Sequence, residues 1–255
     1  MGQLEGKVAI VTGAGSIREG IGNGKAVAVQ FAREGARVFA VDINERAVAE
    51  TAAMIREDGG TVAIGIGDVS QEAECQRLVA ECREALGLPA VLHNNVGIGT
   101  PGELLDVSEE QWRRAFAVNV DSMLFMSRAV VPAMRELGGG SIINVSSVAS
   151  IRSFPGVAYG TTKGAVNALT VTLAGRLARD NIRVNCILPG YIDTPLVAPA
   201  WEDERVRAAN LRQVPMRRFG TAWEVAGVAV FLASEASSYV TGALIPVDGG
   251  LTVRL

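Results

Sequence analysis

Short apolar runs rich in β-branched residues recur along this chain. Each is followed by a longer segment with helical patterning, and no other feature constrains the fold as tightly. The runs are Val8–Val11, Val38–Val41, Val62–Ile66, Ala90–Leu92, Ile142–Val145, Val184–Leu188 and Leu244–Val247. The helical segments are Lys25–Glu34, Ile43–Glu57, Glu72–Ala85, Glu109–Glu136, Tyr159–Arg179 and Ala222–Ala233. Strands that alternate with helices pair in parallel, because a helical crossover returns the chain to the same end of the sheet. The runs are nearly continuous in apolar residues, as burial on both faces requires. The pattern predicts an α/β fold: a doubly wound, seven-stranded parallel sheet with helices on both faces, over residues 1–255. No linker, repeat or low-complexity tract divides it. The segment 190–218 breaks the rhythm and carries Pro195, Pro199 and Pro215. A substrate-binding loop or lid is expected there, given an apolar surface by Leu196, Val197, Pro199 and Trp201.

Several function classes are disfavoured by composition. The chain carries a net charge of −3 and shows no basic patch, so no nucleic-acid partner is expected. No apolar run approaches the roughly 18 residues of a membrane span. The four apolar residues after Lys7 are too few for a signal-peptide core. Cys75, Cys82 and Cys186 are odd in number and lack metal-ligand spacing. Reduced, partly buried thiols in a cytoplasmic protein are expected, with no metal. The one histidine, His93, lies in an apolar run and is read as structural. Trp112, Phe116 and Phe125 read as helix core or subunit contact.

The first strand runs into Thr12-Gly13-Ala14-Gly15-Ser16-Ile17-Arg18-Glu19-Gly20-Ile21-Gly22-Asn23-Gly24. A glycine-rich turn between strand and helix sets backbone N–H groups and the helix N-terminus against a pyrophosphate. Glycine is required where a Cβ would block close approach. An acid at the next strand end completes the dinucleotide pattern, and Asp42 stands there. Its carboxylate can accept both ribose hydroxyls of NAD and would repel a 2′-phosphate. The other reading of Asp42 is a helix cap before Ile43. A Walker loop is excluded, because Ala26 follows Gly24-Lys25. A single Rossmann-type domain binding NAD in preference to NADP is therefore expected.

Tyr159 and Lys163 are four residues apart at a predicted helix start, on one face. A phenol titrating near 10 is a poor proton-transfer group at neutral pH. A cation beside it favours the phenolate, so the pair makes a sensible acid–base unit.

These features do not stand alone. In order along the chain come the Thr12-Gly13 turn, Asp68 and Val69, Asn94-Asn95-Val96-Gly97, Asn119, Asn144-Val145-Ser146-Ser147, Tyr159 with Lys163, Pro189-Gly190, Thr194-Pro195 and Val247-Asp248-Gly249-Gly250. From Lys7 to Gly250 the sequence resembles the short-chain dehydrogenase/reductase family, in its alcohol dehydrogenase and 3-oxoacyl reductase-like branch. The resemblance implies that Tyr159 gives or takes the substrate proton and that a serine beside it binds the substrate oxygen. Lys163 would lower the tyrosine pKa and hold the nicotinamide ribose. Asn119 would anchor a water for proton relay. Asp68 and Val69 would meet adenine, while Asn95 and Gly97 shape the cofactor floor. Pro189, Gly190, Ile192 and Thr194 would border the nicotinamide end. The resemblance also implies a homotetramer paired through the faces of the helices at 109–136 and 159–179.

Three departures from the family pattern stand out. Counting back from Gly35, Gly22 and Gly24 are the second and third fingerprint glycines, so about five extra residues follow Gly13; Gly20 and Gly22 are the rival pair. The inserted Ser16–Glu19 can reach the pyrophosphate, and Arg18 argues against a strict preference for NAD. Val96 replaces the family's usual alanine. The catalytic serine has two candidates: the usual spacing of thirteen selects Ser146, whereas side-chain alternation along the strand selects Ser147. Ser147 is preferred, because a loop can lose one residue at little cost.

The activity expected is hydride transfer between NAD(H) and a secondary alcohol or ketone, or a 3-hydroxyacyl/3-oxoacyl-type substrate. The alternative is a catalytically silent dinucleotide-binding sensor or subunit, which the intact set of Asn119, Ser147, Tyr159 and Lys163 disfavours. An enoyl reductase would space tyrosine and lysine by six residues, and no such pair exists here. The substrate pocket is expected from 98–100, 148–154 and 191–211.

Overall fold

The computed structural model describes residues 2–195 and 203–253. Its main sheet has seven strands: β1 (Val8–Thr12), β2 (Arg37–Asp42), β3 (Thr61–Ile66), β4 (Val91–Asn94), β5 (Gly140–Val145), β6 (Ile182–Pro189) and, near the C-terminus, β9 (Leu244–Val247). Every pairing is parallel, in the order β3-β2-β1-β4-β5-β6-β9. The helices between them are α1 (Asn23–Arg33), α2 (Glu45–Glu57), α3 (Glu72–Leu86), α4 (Glu109–Phe116), α5 (Ser122–Glu136), α6 (Val157–Leu177), α7 (Glu204–Gln213) and α8 (Ala222–Ala233). The sheet is therefore the seven-stranded, doubly wound one that the alternation predicts.

Strand periodicity divides the core into two layers. Ala9, Val11, Val38, Ala40 and Val91 face one side with Phe31 of α1 and Val225 of α8. Val8, Ile10, Phe39, Val41 and Leu92 face the other with Leu78 of α3 and Met126 of α5. All five β1 residues are buried. A strand whose two side-chain rows are both covered must be apolar throughout, which is why these runs lack polar alternation.

The chain passes from β1 to β2 on one side, while β4 pairs with the opposite edge of β1. The order thus reverses at the carboxyl ends of β1 and β4, where Thr12 lies opposite Asn94. A crevice forms there because the connecting helices diverge to opposite faces.

Two expectations need correction. The helix anticipated over 109–136 is interrupted by a π turn at Ala117–Asp121, which separates α4 from α5. No glycine or proline marks that break; it is set by how buried Asn119 is held. The stretch 190–218 is not simply a loop. It contains a short strand β7 (Ile192–Asp193), paired in parallel with β8 (Gly220–Thr221), and the helix α7, whose N-cap Asp203 accepts from the N–H groups of Arg205 and Val206. α7 buries no residue and so has no apolar stripe to read in the sequence. The residues expected to make the lid apolar, Leu196, Val197, Pro199 and Trp201, lie outside the described residues.

His93 sits on β4, fully buried, edge-on to Phe31 at 6.2 Å, with no hydrogen-bond partner on either ring nitrogen. Burial pushes its pKa down from 6.5 to about 3. A depressed folded-state pKa stabilises the fold above the unfolded value and loses that stabilisation as pH falls through the folded one. The window thus runs from 6.5 down to about 3. We expect His93→Val to show a shallower loss of stability across it, read from urea unfolding at stepped pH. An unchanged slope would assign acid sensitivity to other groups.

Candidate active site

The crevice at the switch point is a cleft of about 380 Å³ lined by residues from both halves of the sheet. Its floor begins with Gly13, which follows β1 at φ +63°, a conformation open to glycine. A Cβ on Gly24 would lie 2.0 Å from the Gly13 carbonyl oxygen, so helix and turn touch backbone to backbone. This places Gly22 and Gly24, rather than Gly20 and Gly22, at the start of α1. Gly22 is the N-cap, contributes no side-chain cap, and no acid stands in the first turn. The helix therefore presents N–H groups and the positive end of its dipole to the cleft, an arrangement suited to a phosphate.

The extra residues of the turn fold back on it. Ser16 Oγ accepts from the Gly22 N–H at 2.8 Å. Gly20, at φ +119°, packs so tightly against Pro195 that a Cβ would come within 2.9 Å of its ring. The insertion thus reaches across to the segment after β7. Ser16 and Ile17 line the cleft, whereas Arg18 is exposed and does not.

Asp42 closes β2 at the cleft wall. Its Oδ2 accepts from the Gly15 N–H at 2.9 Å and its Oδ1 from the Asn44 N–H at 3.0 Å. Asn44, not Asp42, caps α2, accepting from Ala47. Both Asp42 oxygens are oriented by these bonds and keep lone pairs for further donors. The contact from Gly15 was not foreseen in the sequence; only its place in a glycine-rich turn hinted at it. Val69 lines the cleft beside Gly67. Asp68 does not: its Oδ1 accepts from the Ser70 N–H and hydroxyl, at 3.0 and 2.7 Å.

On the other side, Asn95 and Gly97 line the cleft after β4. Asn95 is clamped to the first turn: its N–H donates to Thr12 Oγ1 and its Nδ2 to the Gly13 carbonyl. Below, Asn94 donates to Asn144 Oδ1 at 2.9 Å, and Asn144 donates to Thr170 Oγ1 at 3.0 Å, tying β4, β5 and α6 together. Asn119 is fully buried in the π turn. Its Oδ1 accepts from the Ile98 N–H at 2.8 Å, and its Nδ2 donates to the Ile98 carbonyl and Thr162 Oγ1. It thus stands behind the 97–98 turn rather than on the cleft surface. Pro189, Gly190, Ile192 and Thr194 complete the far end.

Ser147, Tyr159 and Lys163 converge on the cleft. Tyr159 enters on the first turn of α6, after Gly156. The Ser147 side chain lies close enough to the Tyr159 phenol to favour its ionised form. Ser147 also accepts from the Ala149 N–H at 3.2 Å, which starts a one-turn helix and fixes its orientation. Ser146 also borders the cleft, but its hydroxyl is engaged, donating to the Lys163 carbonyl at 2.8 Å. Lys163 is buried, donates from Nζ to the Val145 carbonyl at 2.9 Å, and lies 5.7 Å from the Tyr159 ring centroid.

Burial works against the expected lowering of the phenol's pKa. It pushes Tyr159 above its ordinary value, and the neighbouring Ser147 only partly offsets this. Burial also pulls the Lys163 ammonium down to about 8. Burial removes the water that would solvate the charged form of either group, which raises the phenol and lowers the ammonium. The three cysteines are buried and unpaired, with thiols that burial pushes to about 11–12. Among the described residues there is no group of three or more potential metal ligands, and no helix long and apolar enough to cross a membrane.

A parallel α/β sheet with a glycine-rich cleft at its switch point, an acid at the second strand end and a Ser–Tyr–Lys cluster defines a nucleotide-dependent oxidoreductase class. Comparison with known proteins narrows it. A family model described as enoyl-(acyl carrier protein) reductase matches residues 15–252. The 3-oxoacyl-[acyl-carrier-protein] reductase of Thermotoga maritima is 39% identical, covering 98% of this chain and 100% of its own. The 2-(R)-hydroxypropyl-CoM dehydrogenase of Xanthobacter autotrophicus is 38% identical, over 96% and 98%. A candidate 2-deoxy-D-gluconate 3-dehydrogenase from Agrobacterium tumefaciens, solved with bound NADP, superposes with a TM-score of 0.91 at 33% identity, over 99% of this chain and 98% of its own. The chain belongs to the short-chain dehydrogenase/reductase family, oxidoreductases that bind a nicotinamide dinucleotide and transfer hydride on alcohol or ketone substrates.

Proposed function

We propose that this protein transfers a hydride between NAD(H) and a secondary alcohol or ketone, 3-hydroxyacyl/3-oxoacyl types included, with Tyr159 as general acid/base. The observation that carries this reading is the convergence of Ser147, Tyr159 and Lys163 on one wall of the cleft, with the Ser147 side chain close enough to the phenol to favour its ionised form. Two hydroxyls so placed can hold one substrate oxygen between them, Ser147 orienting it and Tyr159 exchanging its proton. When bound, the nicotinamide dinucleotide supplies the hydride acceptor or donor. The first turn of α1 fits its pyrophosphate, the Asp42 carboxylate fits ribose hydroxyls, and Gly13 and Gly24 let the turn, α1 and the Asn95 segment pack closely enough to form the cradle. Lys163, fixed by the Val145 carbonyl, supports Tyr159 and reaches a ribose hydroxyl. Asn119 supports the Gly97–Ile98 turn from behind, and a relay water beside it remains part of the proposal. Tyr159 and Lys163 are separated by three residues, which favours carbonyl chemistry over enoyl reduction.

A panel of secondary alcohols with NAD, and of ketones with NADH, followed by nicotinamide absorbance, tests the reading. No turnover across the panel with either NAD(H) or NADP(H) would overturn it. On a substrate so found, Ser147→Ala should lower kcat by at least tenfold, since it removes an orienting group of the kind worth about 10²–10³. Ser146→Ala should leave kcat within a few-fold and cost about 1 kcal/mol of stability for one lost hydrogen bond. The reverse outcome would make Ser146 the substrate-binding serine.

The assembly we propose is a homotetramer paired through the faces of α4–α5 and α6. Sedimentation velocity at micromolar concentration should show a species near four times the 26.7 kDa chain mass. A monomer alone would refute it.

A further inference from the structure

Three described residues bury a side-chain polar atom with no hydrogen-bond partner: Asn23, His93 and Thr100. His93 is enclosed in the core and Thr100 is outside the cleft lining, whereas Asn23 forms part of the cleft wall. We propose that Asn23 is a cofactor-positioning residue whose side-chain amide hydrogen-bonds a hydroxyl of the nicotinamide-side ribose. The inference rests on the reading of this cleft as a dinucleotide site.

Asn23 is the first residue of α1, between the N-cap Gly22 and the pinned Gly24. Asparagine is a weak helix former, favoured at the N-cap, and here it stands one residue inside and makes no capping bond. Local structure therefore gives no reason for an amide at this position. A buried, unpartnered carbonyl oxygen is a cost of folding, and an incoming donor relieves it.

The chemistry limits what that donor is. Phosphate oxygens only accept, so the pyrophosphate cannot satisfy Oδ1. Ribose hydroxyls donate. Asp42 stands at the far end of the turn, where it serves the adenosine ribose, which leaves the second ribose for Asn23. Oδ1 is enclosed in the cofactor-free protein, so the proposal includes a turn of the amide toward the cleft on binding, which leaves Nδ2 free to donate to a phosphate oxygen.

The test compares the wild type with Asn23→Ala and Asn23→Leu by calorimetric titration with NAD, NADP, ADP-ribose and AMP. ADP-ribose keeps the second ribose without the nicotinamide ring, and AMP lacks both. One lost hydrogen bond predicts Kd values about tenfold higher for ADP-ribose and the preferred dinucleotide, with AMP unchanged. The thermal midpoint of the cofactor-free protein should rise by about 2 °C in Asn23→Leu, because the unpartnered oxygen is gone. A merely structural asparagine would move the two readouts together, lowering the midpoint and weakening all ligands alike. Unchanged ADP-ribose affinity in both variants, or an equal loss for AMP, overturns the proposal while leaving the cleft's assignment intact. A wild type that binds neither NAD nor NADP overturns both.

Discussion

Tyr159→Phe should lower kcat by roughly 10²–10⁴-fold, the usual contribution of a positioned general acid or base. The substitution removes one oxygen and keeps the ring, which packs against Phe154 at a centroid distance of 5.9 Å. Fold and cofactor affinity should therefore stay near wild type, and titration with NAD checks the second point. The direction of the pKa shift adds a pH signature. Burial raises the phenol's pKa above 10, so the phenolate is a minor form at neutral pH. In the oxidation direction the phenolate is the active form, and the rate should climb with pH across the neutral to alkaline range. In the reduction direction the protonated phenol is the active form, and the rate should be flat over the same range. Near-wild-type turnover by Tyr159→Phe, with the chemical step rate-limiting, would sink the mechanism.

Asp42→Asn should shift the ratio of kcat/KM for NAD over NADP by tenfold or more toward NADP. The wild-type carboxylate is held by two backbone N–H groups at the cleft wall. Two unit charges about 4 Å apart at an effective dielectric near 20 interact by about 4 kcal/mol, which exceeds the 1.4 kcal/mol that a tenfold preference needs. The amide keeps one acceptor and removes the charge, so most of the change should appear as improved use of NADP. A melting curve separates this from any loss caused by leaving one N–H unpaired. Equal wild-type kcat/KM values for the two cofactors would instead point to Arg18 in the lengthened turn as a partner for the 2′-phosphate.

Most of the architecture was legible in the sequence because the signals are local. Buried parallel strands must be apolar on both faces, so β1, β2 and β4 announce themselves in four- to six-residue runs. A glycine turn and an acid at the next strand end report the cofactor cleft through spacing alone. Tyr159 and Lys163 share a face because helical geometry places residues four apart together. What lay beyond the sequence depends on contacts between distant segments. α7 buries nothing, so no pattern marked it. The π turn at 117–121 arises where Asn119 meets Ile98 and Thr162, residues 21 and 43 positions away.

The sequence by itself determined the class of fold, the order of its elements and the residue types available for proton transfer, since these follow from periodicity and chemistry over short spans. Only the tertiary structure gave the two adjacent serines different partners: the Ser146 hydroxyl donates to the Lys163 carbonyl of α6, whereas the Ser147 side chain lies near Tyr159. Only the tertiary structure, likewise, showed that burial opposes the lowering of the Tyr159 pKa that a neighbouring cation implies. A pairing rule in sequence counts the neighbouring charge, whereas the folded site also removes the water that would have stabilised the phenolate.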